Sequence, residues 1–188
     1  MYCSGKDSRL RRSGQTAMFR ILKDTLRLMA PILPFTTEEA WEVMPAFHGK
    51  SESVHLENFP AFDETWLGET ERMEWAALIA LRERVLKELE AAREQKAIGN
   101  SLEAQITLSV PAAEMPLIRK YQGGLAALFI VSDIVMSGSD GAEIGIAVGK
   151  APGGKCQRCW NYSAHVGTSA DYPGFCARCE AVVRDIPR

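Results

Sequence analysis

Apolar residues recur with the i, i+3, i+4, i+7 period of a helix across Met18, Ile21, Leu22, Thr25, Leu28 and Met29, which predicts one apolar stripe to bury. Ser8 or Ser13 supplies a cap for its start, the helix runs to about Met29, and Pro31 and Pro34 stop it. Thr36 with Glu39 reads as a capping box, predicting a short helix over 37–44 that turns Ala40, Trp41 and Met44 inward. The connector over 45–62 contains Ser53-Val54-His55-Leu56, read as a brief extended piece. A long helix is predicted over 69–98, where Leu78, Leu81, Val85 and Leu89 share one face, and Gly99-Asn100 is its stop.

The pattern then changes period. Ala104, Ile106, Leu108 and Val110 alternate with Gln105, Thr107 and Ser109, the signature of a strand with one buried face. A helical stretch over 113–128, interrupted by Gly123-Gly124, leads to a second strand over 130–136. After the turn residues 137–141, a third strand follows over 143–148. Residues 104–150 therefore read as a small β-α-β-β unit. Pro152-Gly153-Gly154 reads as a flexible joint before a last module over 153–184.

Length and composition set limits on this picture. A chain of 188 residues, 46% hydrophobic and 24% charged, is long enough for one ordinary domain or two small ones, and is expected to fold. The longest apolar run, Leu125 to Val131, falls far short of the roughly 20 residues needed to span a bilayer. No basic-then-apolar leader opens the chain, so a cytoplasmic location and no membrane partner are expected. The net charge of −2 is unevenly spread: residues 1–30 hold seven Lys/Arg against two Asp, whereas residues 31–103 hold seven basic and fifteen acidic side chains. An anionic partner is drawn to the first segment and repelled by the second.

Four of the five cysteines are grouped: Cys156-Gln157-Arg158-Cys159 and Cys176-Ala177-Arg178-Cys179 are two C-x2-C pairs separated by sixteen residues. Each pair presents two sulfurs to one ion, and two such knuckles joined by an excursion of this length form the zinc-ribbon pattern. Two disulfides, a redox C-x-x-C or an iron–sulfur centre compete with this reading. Zinc accounts best for the spacing. With four thiolates the ion is structural and has no open position for water, and its binding supplies the folding energy of a segment poor in apolar residues. Arg158 and Arg178 each precede the second cysteine of a knuckle; they are counter-charges to the cluster, phosphate contacts together with Lys155, or both. Trp160 either caps the metal site or offers an exposed platform for an unpaired base. His165 is a weak fifth ligand candidate, and Cys3, outside both pairs, reads as an ordinary thiol. The chain contains no Walker loop, G-x-G-x-x-G, H-E-x-x-H or G-x-S-x-G, so no catalytic residues are assigned.

Several stretches together resemble isoleucyl-tRNA synthetases of the bacterial type. Arg12-Ser13-Gly14-Gln15-Thr16-Ala17, the run from Leu28 to Trp41 (LMAPILPFTTEEAW), Ser53-Val54-His55-Leu56 and Phe59-Pro60 resemble that family's helical anticodon-binding domain. Leu81-Arg82 through Glu90, with Ile98-Gly99-Asn100-Ser101-Leu102-Glu103-Ala104, is similar to the part that follows. Lys155-Cys156-Gln157-Arg158-Cys159-Trp160 with Cys176-Ala177-Arg178-Cys179 resembles its C-terminal zinc finger, a module shared with formamidopyrimidine-type DNA glycosylases. The resemblance runs from about residue 2 to 184 in the family's order.

The resemblance implies a mainly α fold with a small α+β unit. Its parts are a truncated helical anticodon-binding bundle (1–103), the β-α-β-β subdomain (104–150) and a four-cysteine zinc ribbon (153–184). It implies binding of the tRNA(Ile) anticodon stem-loop, with Trp160 as the leading contact, Arg158, Arg178 and Lys155 beside it, and Arg9, Arg11 and Arg12 as a second backbone-binding patch. DNA is not an expected partner. The family's His-x-Gly-His and Lys-Met-Ser-Lys-Ser signatures are absent from the chain. It therefore reads as the C-terminal part of a class I aminoacyl-tRNA synthetase that is non-catalytic alone, with ATP used only by the missing catalytic domain. The alternative is a free-standing zinc-containing module that binds RNA in trans. Helices missing before Tyr2 are expected to leave the apolar stripe on residues 18–29 partly uncovered, and so prone to self-association.

Overall fold

A computed structural model describes residues 3–62, 64 and 68–186; Tyr2, where the resemblance begins, lies outside them. The chain divides into two compact units, residues 1–67 and 68–188.

In the first unit, Ser8 caps α1 (Arg9–Met29) by accepting the Arg11 amide, and Ala30 closes it. The stripe predicted to be buried points outward, and Met18, Ile21, Leu22 and Leu28 are all exposed. The helix buries instead the adjacent face of Phe19, Leu26 and Ala30 against Trp41, Met44, Val54 and Phe47. Phe47 meets both the Phe19 and Trp41 rings edge-on.

Helix α2 (Pro34–Val43) starts three residues earlier than predicted, with Pro34 in its first turn and Leu33 as its cap. Proline lacks an N–H and has a helical φ, so it opens this helix as readily as it ends the previous one. Thr36 and Glu39 consequently lie inside the helix and form no capping box; the Thr37 hydroxyl donates back to Leu33 O. Trp41 and Met44 are buried as predicted, and Trp41 Nε1 donates to Ser51 O at 3.0 Å. The piece predicted as extended is a 3₁₀ turn, Val54–Leu56. Glu38 fixes it by accepting from the Ser53 hydroxyl and the Val54 N–H, a side-chain cap that strand periodicity does not reveal.

The second unit is built on α3 (Glu69–Glu94), β1 (Ala104–Pro111), α4 (Met115–Phe129), β2 (Asp133–Ser139) and β3 (Gly145–Lys150). Helix α3 ends before its predicted stop, because Gln95 caps it and Lys96 turns left-handed at φ 58°. β1 is the central strand, parallel to β2 and antiparallel to β3. Its alternation is realised in full: Ala104, Ile106, Leu108 and Val110 are completely buried. They pack with Leu78, Leu81, Val85 and Leu89 of α3 and with Ile118, Leu125 and Phe129 of α4. The α3 side chains thus share the core of the sheet. Helix α4 runs unbroken through Gly123-Gly124 and ends at Ile130 in a left-handed cap. That cap and the turn after it delay β2 by three residues relative to the prediction, and β3 is delayed by two.

The tail begins where the sheet ends. Ser132, just before β2, accepts from the Tyr162 N–H at 2.7 Å and donates to Leu102 O. One hydroxyl thereby links the 3₁₀ turn Ser101–Glu103, the sheet and the final module. That module holds β4 (Gly154–Lys155), β5 (Tyr162–Ser163) and α5 (Ala177–Arg184). Gly153 is more than a spacer: at φ +82° its Cα lies so close to Ser163 that a Cβ would meet the Ser163 carbonyl oxygen at 2.2 Å. No helix among the described residues is long and apolar enough to cross a membrane.

Candidate metal centre and nucleic-acid interface

The two cysteine pairs are brought together by different means. In the first knuckle the Cys156 N–H donates to Asn161 O and the Trp160 N–H returns to Cys156 O at 2.9 Å, so the chain folds back on itself within six residues. In the second, Cys176 caps α5 and Cys179 lies in its first turn, which projects both sulfurs to one side. The Gln157 N–H donates to Gly174 O and ties the knuckles to each other. The four Sγ atoms of Cys156, Cys159, Cys176 and Cys179 all lie within 4.8 Å of one another, and none is in a disulfide. Cys159 and Cys176 Sγ are 3.7 Å apart. Four sulfurs each about 2.3 Å from a tetrahedral ion are about 3.8 Å from one another, so the donor set fits one structural zinc.

The thiols also need a cation electrostatically. Burial pushes Cys179 up to about 12 and raises Cys176. At Cys156 burial opposes ionisation, but the N–H groups of Cys159, Cys176 and Arg158 outweigh it and bring the pKa down to about 6. Four negative sulfurs this close repel one another, and a divalent ion resolves the conflict. Arg158 points its guanidinium at Cys179 Sγ, 3.7 Å away. For Arg178, burial disfavours the charge while the Cys159 sulfur and its neighbours hold its pKa above the usual value. Both arginines therefore act as counter-charges, and Arg178 still reaches solvent.

Trp160 stands largely open to solvent. It is 60% exposed, and its backbone is left-handed at φ 67°. A bulky residue in that region costs about 1–3 kcal/mol and persists only where surrounding contacts impose it; here the Cys156 knuckle does so and turns the indole outward. Lys155 Nζ sits 5.5 Å from the ring centroid. The module thus carries a solvent-facing aromatic ring with a cation against it, and two arginines at the sulfur cluster that follows.

His165 is not a ligand. Its Nε2 lies 2.8 Å from Glu180 Oε2, and Glu180 also accepts from Ser169 and Arg184. His165, with Arg184 and Ser169, holds the Glu180 carboxyl at about 2. This brace fastens α5 to the loop over 165–172, and only the Glu–Arg spacing within α5 is readable from sequence. Arg9, Arg11 and Arg12 lie in the first turn of α1, in the first unit. Arg9 is exposed, Arg11 donates to Ser4 O, and Arg12 lies 4.0 Å from Asp7.

Comparison with known proteins finds two family matches, the first of which runs across the boundary between the two compact units. Residues 1–108 match a family described as the anticodon-binding domain of tRNA ligase, and residues 153–182 match the zinc finger found in FPG and IleRS. The chain is 45% identical, over 98% of its length, to the isoleucine–tRNA ligase of Syntrophotalea carbinolica. It is 40% identical over 97% to that of Geobacter sulfurreducens and 38% identical over 98% to that of Thermotoga maritima. In each case it spans only 21% of the relative's length.

Proposed function

We propose a function on one premise: this chain belongs to the family of anticodon-binding domains of tRNA ligases. It is the tRNA-binding part of an isoleucine–tRNA ligase and grips the anticodon stem-loop of tRNA(Ile) in the cytoplasm. The observation that carries this reading is the exposed, left-handed Trp160 under the Lys155 ammonium. Unpaired loop bases stack on aromatic planes, at about 1–3 kcal/mol per base. One face of the indole receives a base, Lys155 and the solvent-facing side of Arg178 meet the adjacent phosphates, and Arg158 stays closest to the sulfurs. The zinc ion, when bound, supplies rigidity and no chemistry. Arg9, Arg11 and Arg12 offer a second backbone contact, with Arg9 the most accessible. Double-stranded DNA presents no unpaired base to Trp160 and is not a partner.

Joining isoleucine to tRNA with ATP belongs to residues outside this chain, which activates no amino acid alone. The exposed stripe on α1 supports self-association of the isolated chain. The deciding experiment is titration of the zinc-loaded chain with tRNA(Ile), a non-cognate tRNA and duplex DNA, alongside isoleucine-dependent ATP–pyrophosphate exchange. Preference for tRNA(Ile) without exchange is expected. Equal affinity for the three nucleic acids overturns the reading, whereas tight binding of many structured RNAs points to a module acting in trans.

A further inference from the structure

Within the second unit a cleft opens between the start of β2 and the metal module. Its walls include Ser132 and Asp133 where β2 begins, Asn161 and Tyr162 where β5 begins, and Arg178 in the first turn of α5. At about 380 Å³ it falls in the range of small-ligand sites, roughly 300–1,000 Å³, with room for one nucleotide and not for a stacked run of bases. Two hydrogen bonds fix its walls. The Tyr162 N–H donates to the Ser132 hydroxyl at 2.7 Å. Gln105, the β1 residue paired with Asp133, donates its side-chain amide to Asp133 Oδ2 at 2.5 Å.

The polar groups of this cleft remain available to a ligand. Asp133 Oδ1 and the Asn161 side-chain amide form no hydrogen bond among the described residues. A carboxylate oxygen only accepts, whereas an amide both donates and accepts. Together they match a base that carries an exocyclic amino group beside a ring nitrogen. The two amino hydrogens go to Asp133 Oδ1 and Asn161 Oδ1, and Asn161 Nδ2 donates to the ring nitrogen. Adenine and cytosine have that edge; uracil sets a carbonyl oxygen against the carboxylate instead. The carboxylate also repels a phosphate from the sheet wall, while the Arg178 guanidinium attracts one to the α5 wall. A nucleotide therefore enters base first. Stacking on Trp160 tolerates any base, so choice between bases needs an edge contact, and Asn161 follows Trp160 directly in the chain.

We propose that this cleft holds the base of a nucleotide adjoining the one stacked on Trp160, and selects adenine or cytosine through Asp133 and Asn161. Such a site rests on the tRNA-binding reading above and adds base choice to it. Asp133→Asn keeps the shape and the Gln105 contact but turns the cleft-facing oxygen into a donor. The test is titration of the zinc-loaded full chain with the anticodon stem-loop of tRNA(Ile), its loop adenosines and cytidines replaced one at a time by uridine. One replacement is expected to weaken wild-type binding about fivefold or more, and to lose or reverse that effect in Asp133→Asn. Asn161→Ala is expected to weaken binding of the unsubstituted loop by a similar factor. Circular dichroism and zinc content check that each variant folds. A wild-type chain indifferent to every replacement, or Asp133→Asn with an unaltered base preference, overturns base selection in the cleft alone, since Trp160→Ala reports separately on tRNA binding. A wild-type chain that does not bind the stem-loop overturns both. Adenosine or cytidine monophosphate that binds as tightly as the stem-loop, with the same loss in Asp133→Asn, makes this a free-nucleotide site and overturns the RNA assignment.

Discussion

Lys155 holds its ammonium 5.5 Å from the centroid of the Trp160 ring, and the two residues flank the first cysteine knuckle. The lysine lies on β4 and the tryptophan after Cys159, so the sulfur cluster between them sets their separation. The interaction depends on the metal site without being part of it. Trp160→Ala is therefore expected to weaken tRNA(Ile) binding about tenfold or more with zinc content unchanged. Lys155→Ala removes the cation over the ring and lowers both affinity and its salt dependence. Undiminished affinity in the tryptophan variant would return Trp160 to a packing role.

Metal removal tests the centre directly. Freshly purified protein is expected to carry one zinc per chain, and strong chelation to unfold residues 153–184 while β1 and its layer of α3 and α4 persist. That layer has its own core, in which Val85, Leu89 and Phe129 are fully buried, whereas the tail's buried residues are chiefly its cysteines. Amide spectra before and after chelation separate the two regions. Simultaneous loss of the strand signals would show that the sheet depends on the metal, and iron in place of zinc would replace the assignment.

Ser132 ties the tail to the sheet through two hydrogen bonds of one hydroxyl. Ser132→Ala leaves the Tyr162 N–H and the Leu102 carbonyl without that partner, at an expected loss of about 1–3 kcal/mol where the groups stay dry. Chemical denaturation measures the loss, and hydrogen exchange should localise it to β5 and the turn over 101–103. Protection unchanged at Tyr162 would mean that water replaces the hydroxyl.

Much of this architecture was legible because strand and helix periods report burial. The alternation from Ala104 to Val110 marked the central strand, and Leu78 to Leu89 marked the face of α3 that covers it. The cysteine spacing marked the metal centre for a different reason: coordination geometry requires two closely spaced donors twice over. Periodicity misled at α1, where the more apolar stripe faces outward and Phe19, Leu26 and Ala30 face in. Helical period identifies a face suited to contact, not which contact is made within these residues. Proline was ambiguous between stop and start at Pro34. Ser132 and Glu38 leave no local signal and the Glu180 brace leaves only its Arg184 spacing, since their other partners lie eleven to thirty residues away.

A last prediction concerns pH. Lys120 and Tyr121 of α4 both donate to the Glu74 carboxylate of α3, with distances of 2.6–2.7 Å. The lysine bond and then the tyrosine bond lower the Glu74 pKa below 4.5 against a smaller opposing effect of burial. A carboxyl with a depressed folded pKa contributes stability that is present above its unfolded value and lost as pH falls through its folded one. The α3–α4 contact should therefore be insensitive to pH above about 5 and weaken in acid below 4.5. Carbon-detected NMR titration is expected to place the Glu74 midpoint below 4.5 in the native chain. Lys120→Met should move it upward, and Tyr121→Phe should do so by a smaller amount. A native midpoint at or above 4.5 would show that solvent screens the lysine.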